Sequence, residues 1–169
     1  EMMDRKSALA DGMLLLTAAI WGAGFSATQY AIDSGMPSSL ILLMRFAVAA
    51  LLLLAVCFPQ VRALTRREAL LGALSGLFLF LGFFFQTEGQ ARTTPSNCAF
   101  LTTTNVLMVP FLLWAVSGKR PEMKNLLLPV LTAAGVFVLG FTPGQGFSFS
   151  PGDGLSVACA FFFACHIAS

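Results

Sequence analysis

The stretch from Gln86 to Pro110, QTEGQARTTPSNCAFLTTTNVLMVP, places Gln86, Glu88, Gln90, Thr102, Thr103, Thr104 and Asn105 between and within two long apolar runs. Their chemistry is recognition. Asn and Gln each offer an amide donor and a carbonyl acceptor, and the Thr hydroxyl serves as both. Elsewhere in apolar runs stand Trp21, a large ring with one donor; Arg45, a fixed positive charge; and His166, whose ring nitrogens can donate and accept. No nucleophile, base and orienting group share a span, and no carboxylates pair within one, so the set excludes an enzyme reading. No cofactor motif and no metal-ligand spacing occur. The four cysteines, Cys57, Cys98, Cys159 and Cys165, all fall in apolar runs without a CxxC pair and read as small packing residues.

Such residues need elements to hold them, and the composition says which. The chain has 169 residues, 57% hydrophobic and only 11% charged. A soluble domain carries about 25% charged residues. The apolar runs are continuous and rich in Leu, Ala and Phe, without the ten-residue alternation of an outer-membrane barrel. The expected class is an all-α polytopic membrane protein whose solvent is the lipid bilayer, and nothing in it points to nucleic acid.

Six spans follow from the pattern. The first runs from about Met13 to Ala31, long enough to cross the bilayer rather than serve as a signal peptide. It carries small-residue ridges at Ala19, Ala23, Ala27 and Ala31 and at Ala18, Gly22 and Ser26, the type of surface on which helices approach closely in lipid. A turn from Asp33 to Pro37 leads to the second span, Ser38 to Phe58. After Pro59, a loop holds Arg62, Arg66 and Arg67, and Thr65 with Glu68 fits a capping box opening the third span. That span reaches about Glu88 and holds Gly72 and Gly76 at close-packing spacing. The fourth opens with Thr94 as N-cap and Pro95 at the first helical position, ends near Ser117, and should kink at Pro110. A basic loop to Lys124 and a fifth span to about Phe141 come next. The segment TPGQGFSFSPG, 142–152, marks the boundary between two units, 1–151 and 152–169, and the sixth span starts near Pro151 with Ser150 as cap.

Orientation and symmetry come from charge and self-comparison. Eight of the ten Lys and Arg residues fall at the N-terminus and in the loops after the second and fourth spans, while Arg92 is alone on the other side. By the positive-inside rule the N-terminus is cytoplasmic, in a multi-pass protein of the plasma (inner) membrane. The sixth span aligns with the first at an offset of 142: Asp11 and Gly12 on Asp153 and Gly154, Ala18 on Ala160, Trp21 on Phe163, Gly22 on Ala164. Because an odd number of spans separates the copies, such a repeat is inverted in the membrane, as in many secondary transporters.

TAAIWGAGFSA in the first span, the Pro37 to Arg45 spacing, GQARTTPSNCAFLTTTNVLMVP, Gly135 and GDGLSVACAFFFACHIAS together resemble an EamA-type member of the drug/metabolite transporter superfamily. The resemblance covers nearly the whole chain in order. It implies two inverted five-helix repeats with both termini inside, and export of amino acids or other small metabolites. On that basis the chain is one repeat plus the first helix of a second, and a site shared between repeats is completed by a missing second repeat or by a homodimer.

The candidate substrate-binding residues are Trp21, Arg45, Gln86, Thr102, Asn105 and His166, each with a plainer reading beside it. Thr102 to Asn105 lie ~10 to 15 Å inside the fourth span, near the middle of a ~30 Å layer. There they line a cavity, or the Thr hydroxyls bond back to carbonyls one turn earlier and Asn105 joins two helices. Trp21 is a cavity wall or gate, the role that the resemblance gives its WG motif, or simple packing. Arg45, roughly 10 Å inside the membrane boundary, orients an anion or snorkels to headgroups. Gln86 and Gln90 share a face with Phe83 and lie where interfacial solvation suffices. Glu88 is the one candidate proton carrier, against solvation at a loop. His166 contacts substrate or makes a helix-packing hydrogen bond. Phe161, Phe162 and Phe163 point all round their helix toward lipid and neighbours. The expected function is a secondary transporter that exports a small metabolite by alternating access at a midplane site between inverted repeats. The alternative is a non-transporting module that acts through helix association.

Overall fold

The computed structural model describes residues 2–118, 127, 130, 131, 134 and 150–169. The basic loop at 119–124, most of the expected fifth span with Gly135, and the Gly/Pro/Ser segment at 142–149 lie outside the described residues. Among the described residues the bounded helices are α1 (Met2–Asp33), α2 (Ser38–Arg62), α3 (Arg66–Gln90), α4 (Pro95–Thr103), α5 (Asn105–Ser117) and α6 (Pro151–Ala168). Among the described residues there is no strand, and five segments are long and apolar enough to cross a membrane, with α4 and α5 together forming one of them. The protein is all-α and multi-pass.

Local chemistry places the helix starts. The Thr65 side chain accepts from the Glu68 N–H, and the Glu68 carboxylate accepts from the Thr65 N–H at 2.8 Å, closing the expected capping box. Thr94 accepts from the Asn97 N–H ahead of Pro95, whose missing N–H costs nothing at a first helical position. At α6, Ser150 and Asp153 form a second capping box.

Helix ends and bends depart from the sequence reading in three places. α1 begins well before Met13, so Asp11 is inside the helix rather than ahead of it. α2 runs through Pro59 to Arg62 and bends at Cys57 (φ −109°, ψ 19°), where the proline ring crowds the preceding turn without ending the helix. The fourth span breaks at Thr104, not at Pro110. There the Thr104 N–H bonds Leu101 O at 3.2 Å, and the Thr104 hydroxyl takes the same carbonyl at 2.6 Å. Thr103 likewise bonds Ala99 O at 2.8 Å. Consecutive Thr hydroxyls compete with backbone N–H groups for carbonyls and tighten the turn, so the break falls on the threonine run.

α6 occupies the middle of the bundle, packed most extensively on α3 and then on α4 and α5. Its Asp153 carboxylate accepts from the Thr93 hydroxyl at 2.6 Å, and its His166 meets Ser75 at the opposite end, so α6 and α3 are antiparallel. Gln29 near the end of α1 meets Gln90 at the end of α3, so α6 starts at the membrane side where α1 finishes. The two helices come close where side chains are absent. A Cβ on Gly82 would lie 2.5 Å from the Phe163 ring, one on Gly89 2.8 Å from Ser156 Oγ, and one on Gly152 2.6 Å from the Arg92 backbone. The expected close-packing pair, Gly72 and Gly76, has nothing within 4 Å, and Ala19, Ala23 and Ala27 are exposed. Small residues permit close approach, but only those opposite another helix use it.

Gly89→Ala and Gly152→Ala therefore destabilise the α3–α6 contact by about 1–3 kcal/mol, the usual cost of overpacking, whereas Gly72→Ala and Gly76→Ala are tolerated. Thermal melting of the purified variants checks this contrast; equal melting for all four removes the assigned role of the α3–α6 glycines.

Candidate functional site

The site is built around Phe83, in the second half of α3. Trp21 from α1 stacks on it at 6.2 Å between ring centroids, Phe46 from α2 meets it edge-on at 5.8 Å, and Phe163 from α6 meets it edge-on at 5.0 Å. The Arg45 guanidinium lies over the same ring, with Cζ 4.2 Å from the centroid. Three helices thus converge on one side chain of a fourth. A cation over an aromatic face contributes about 0.5–2 kcal/mol, more when dry.

Arg45 does not reach for the membrane boundary. Its Nη2 is 3.4 Å from where a Cβ on Gly24 would stand, so the guanidinium points between α1 and α3. Gly24 leaves it room. Among the described residues Arg45 has no hydrogen bond and no carboxylate partner. Glu88, near the end of α3, is paired with Arg92.

One turn from Phe83, Gln86 is buried at 5% exposure, and its Nε2 has no hydrogen-bond partner among the described residues. This overturns the expectation that Gln86 and Gln90 are solvated at the interface. Gln90 is as deeply enclosed but satisfied: its Nε2 donates to Phe25 O at 2.8 Å and to Gln29 Oε1 at 3.2 Å. The Gln86 main-chain carbonyl accepts from the Cys98 thiol at 3.5 Å, linking α4 to α3. Buried donors without acceptors are scarce in folded proteins and call for an explanation.

The remaining candidates separate from this cluster to different degrees. Thr102 is buried against Cys159 of α6, Oγ1 to Sγ 3.6 Å, while Thr103 and Thr104 spend their hydroxyls on their own helix. Asn105 is half-buried at the α4–α5 break and makes no side-chain hydrogen bond among the described residues. His166 lies one turn beyond Phe163 and contacts Ser75 on α3, Nδ1 to the Ser75 carbonyl at 3.0 Å and to its hydroxyl at 2.9 Å. A carbonyl only accepts, so Nδ1 carries the proton and the ring is held as a helix-packing donor. Ser75 is ~10 Å along α3 from Gly82 at helical rise, so His166 stands outside the Phe83 cluster.

Phe83, Phe46 and Phe163 were not singled out from the sequence, because phenylalanine in a Phe-rich membrane chain carries no signal by type. Within the Phe161–Phe163 run, expected to face lipid or neighbours, Phe163 is 4% exposed and packs on its neighbours, while Phe161 is exposed. One clue did exist. Trp21 and Phe163 are the residues that the offset of 142 superposes, and they meet edge-on at 6.5 Å.

Among the described residues the arrangement has recognition groups, a cation without a carboxylate partner and no reacting set, and the comparisons give its family. The EamA-like transporter family matches residues 8–141. An uncharacterized transporter from Archaeoglobus fulgidus is 32% identical over 163 residues, covering 96% of this chain and 49% of that protein. The chain spans about half the length of this curated relative. No solved structure matches.

An orphaned donor predicts its own removal. Gln86→Leu keeps the shape and discards a buried unsatisfied amide, so it leaves thermal stability unchanged or raises it by about 1 kcal/mol, while Gln90→Leu lowers it by a similar amount. A clear loss of melting temperature in Gln86→Leu shows that the amide is satisfied in the protein and removes it from the candidate site.

Proposed function

Because this chain belongs to the EamA-like transporter family, we propose that it forms half of a secondary transporter that exports a small metabolite across the plasma membrane by alternating access. The observation that carries the reading is the meeting of Trp21 and Phe163, one from each proposed repeat, over the Phe83 ring beside Arg45. Equivalent residues of two inverted repeats meet where the pseudo-two-fold axis passes, and in such transporters the substrate site lies there.

The two repeats meet by exchange of first helices. On α6, Asp153, Ser156, Cys159, Ala160, Phe163 and Ala164 are buried against α3, α4 and α5. Their counterparts on α1 at the same offset, Asp11, Leu14, Thr17, Ala18, Trp21 and Gly22, are all exposed, Trp21 by 51%. A second unit equivalent to α3–α5 covers this face of α1, as α3–α5 cover α6. Trp21, Arg45, Gln86, Thr102 and Asn105 then border a cavity between the units, with Trp21 as a wall that moves when they rock. Exposed Ala19, Ala23 and Ala27 equally suit a module that acts by association alone, the second reading.

One assay separates the two readings. Cells expressing the full-length protein are challenged with toxic amino-acid and metabolite analogues. Transport gives resistance to one compound class, reduced at least tenfold in Trp21→Ala and Asn105→Ala at equal membrane abundance. Resistance to nothing, together with self-association that Ala23→Leu abolishes, supports association instead. For orientation, a reporter active only in the cytoplasm works when fused ahead of Ser7 and fails when inserted at Gly35; the opposite pattern inverts the topology.

A further inference from the structure

We infer that the site beside Phe83 binds the anionic group of a small organic acid, a carboxylate or a phosphate, through Arg45. The inference rests on the transporter reading and names its substrate class. Three observations support it. Arg45 is kept at a depth where a charge is expensive, yet among the described residues it pairs with no carboxylate and donates to no oxygen. Its contact with Phe83 engages the charge but accepts none of its five N–H donors. One turn along α3 from Phe83, the buried Gln86 Nε2 is a second donor without an acceptor among the described residues. What Arg45 lacks is an acceptor.

The geometry fits an anion better than a neutral carbonyl. A guanidinium presents a planar fork that matches carboxylate and phosphate oxygens in bidentate pairs, a contact that a compact ammonium makes less well. Gly24 leaves space beside the fork on the α1 side. Trp21, Phe46 and Phe163, packed on the same Phe83 ring, make the surroundings of the guanidinium apolar. Neighbouring charge does not compete: Glu88 is engaged by Arg92, and Asp153 is occupied by Thr93 and the Ser150 N–H.

The test uses the purified full-length protein in lipid nanodiscs, titrated with benzoate and phenyl phosphate against their neutral counterparts benzamide and phenol, and read by thermal shift and tryptophan fluorescence. At least one anion binds saturably and about tenfold or more tighter than its neutral counterpart. Which anion wins separates carboxylate from phosphate. Arg45→Gln reduces the anion to the level of the neutral compound, and Arg45→Lys, which keeps the charge but loses the fork, gives intermediate affinity. If Arg45→Gln does not fold, the wild-type preference and the Arg45→Lys loss still decide. Equal binding of anion and neutral compound, no saturable anion binding, or anion binding unchanged in Arg45→Lys and Arg45→Gln overturns the inference. The resistance assay keeps the two readings apart. Arg45-dependent anion binding without any export leaves the site and removes transport; export of a neutral or cationic compound unaffected by Arg45→Gln leaves transport and removes the anion site.

Discussion

The approach of α6 to α3 is the contact on which the described structure depends. Lipid tails are as apolar as leucine, so burial of apolar area gives helices little reason to associate within a bilayer. What remains is close van der Waals contact and hydrogen bonds between helices. Both need backbones near each other. Gly82, Gly89 and Gly152 supply that nearness, with positions where an added Cβ would fall 2.5–2.8 Å from the opposing helix. Asp153 with Thr93 at one end and His166 with Ser75 at the other fix the register. Because Gly82 makes room for the Phe163 ring, Phe163 rests edge-on against the adjacent Phe83.

That single placement organises the rest of the site. Phe83 is left with contacts for Trp21 and Phe46 and a ring surface over which Arg45 lies. Helices α1 and α2 pack on the bundle far less than α6 does, and few of their side chains are buried. The interior is accordingly small and polar: Cys98, Cys159, Ala160, Ala164, Thr102, Ser156, Gln86 and Gln90 are enclosed, while leucines cover the outside. This is the reverse of a soluble core and follows from the solvent.

Polar residues in this interior divide into those that are spent and those that are not. Thr103 and Thr104 use their hydroxyls on their own helix and break it, Gln90 ties α3 to α1, and His166 ties α6 to α3. Arg45 and the Gln86 amide remain without acceptors among the described residues. A bilayer interior makes that distinction sharp, since no bulk water is present to satisfy a donor that the protein leaves open.

Membrane class, five of the six expected spans, the capping boxes at Thr65 and Ser150 and the start at Thr94–Pro95 were all legible in the sequence. Each depends on interactions within a few residues or on mean apolarity over about twenty, and the order of residues specifies both. The sequence also marked Trp21, Arg45 and Gln86 as unusual, because polar or amphipathic types stand out against an apolar background. It did not show that Gln86 is enclosed while Gly72 and Gly76 are open, that the fourth span breaks at Thr104 ahead of Pro110, or that Phe83 and Phe163 are central. Those outcomes depend on which face of a helix meets another helix. A ridge of alanines and a ridge of glycines look alike along the chain, and only the antiparallel crossing of α3 and α6 decided which small residues are contacts, which phenylalanine is a hub and which donors are left without partners.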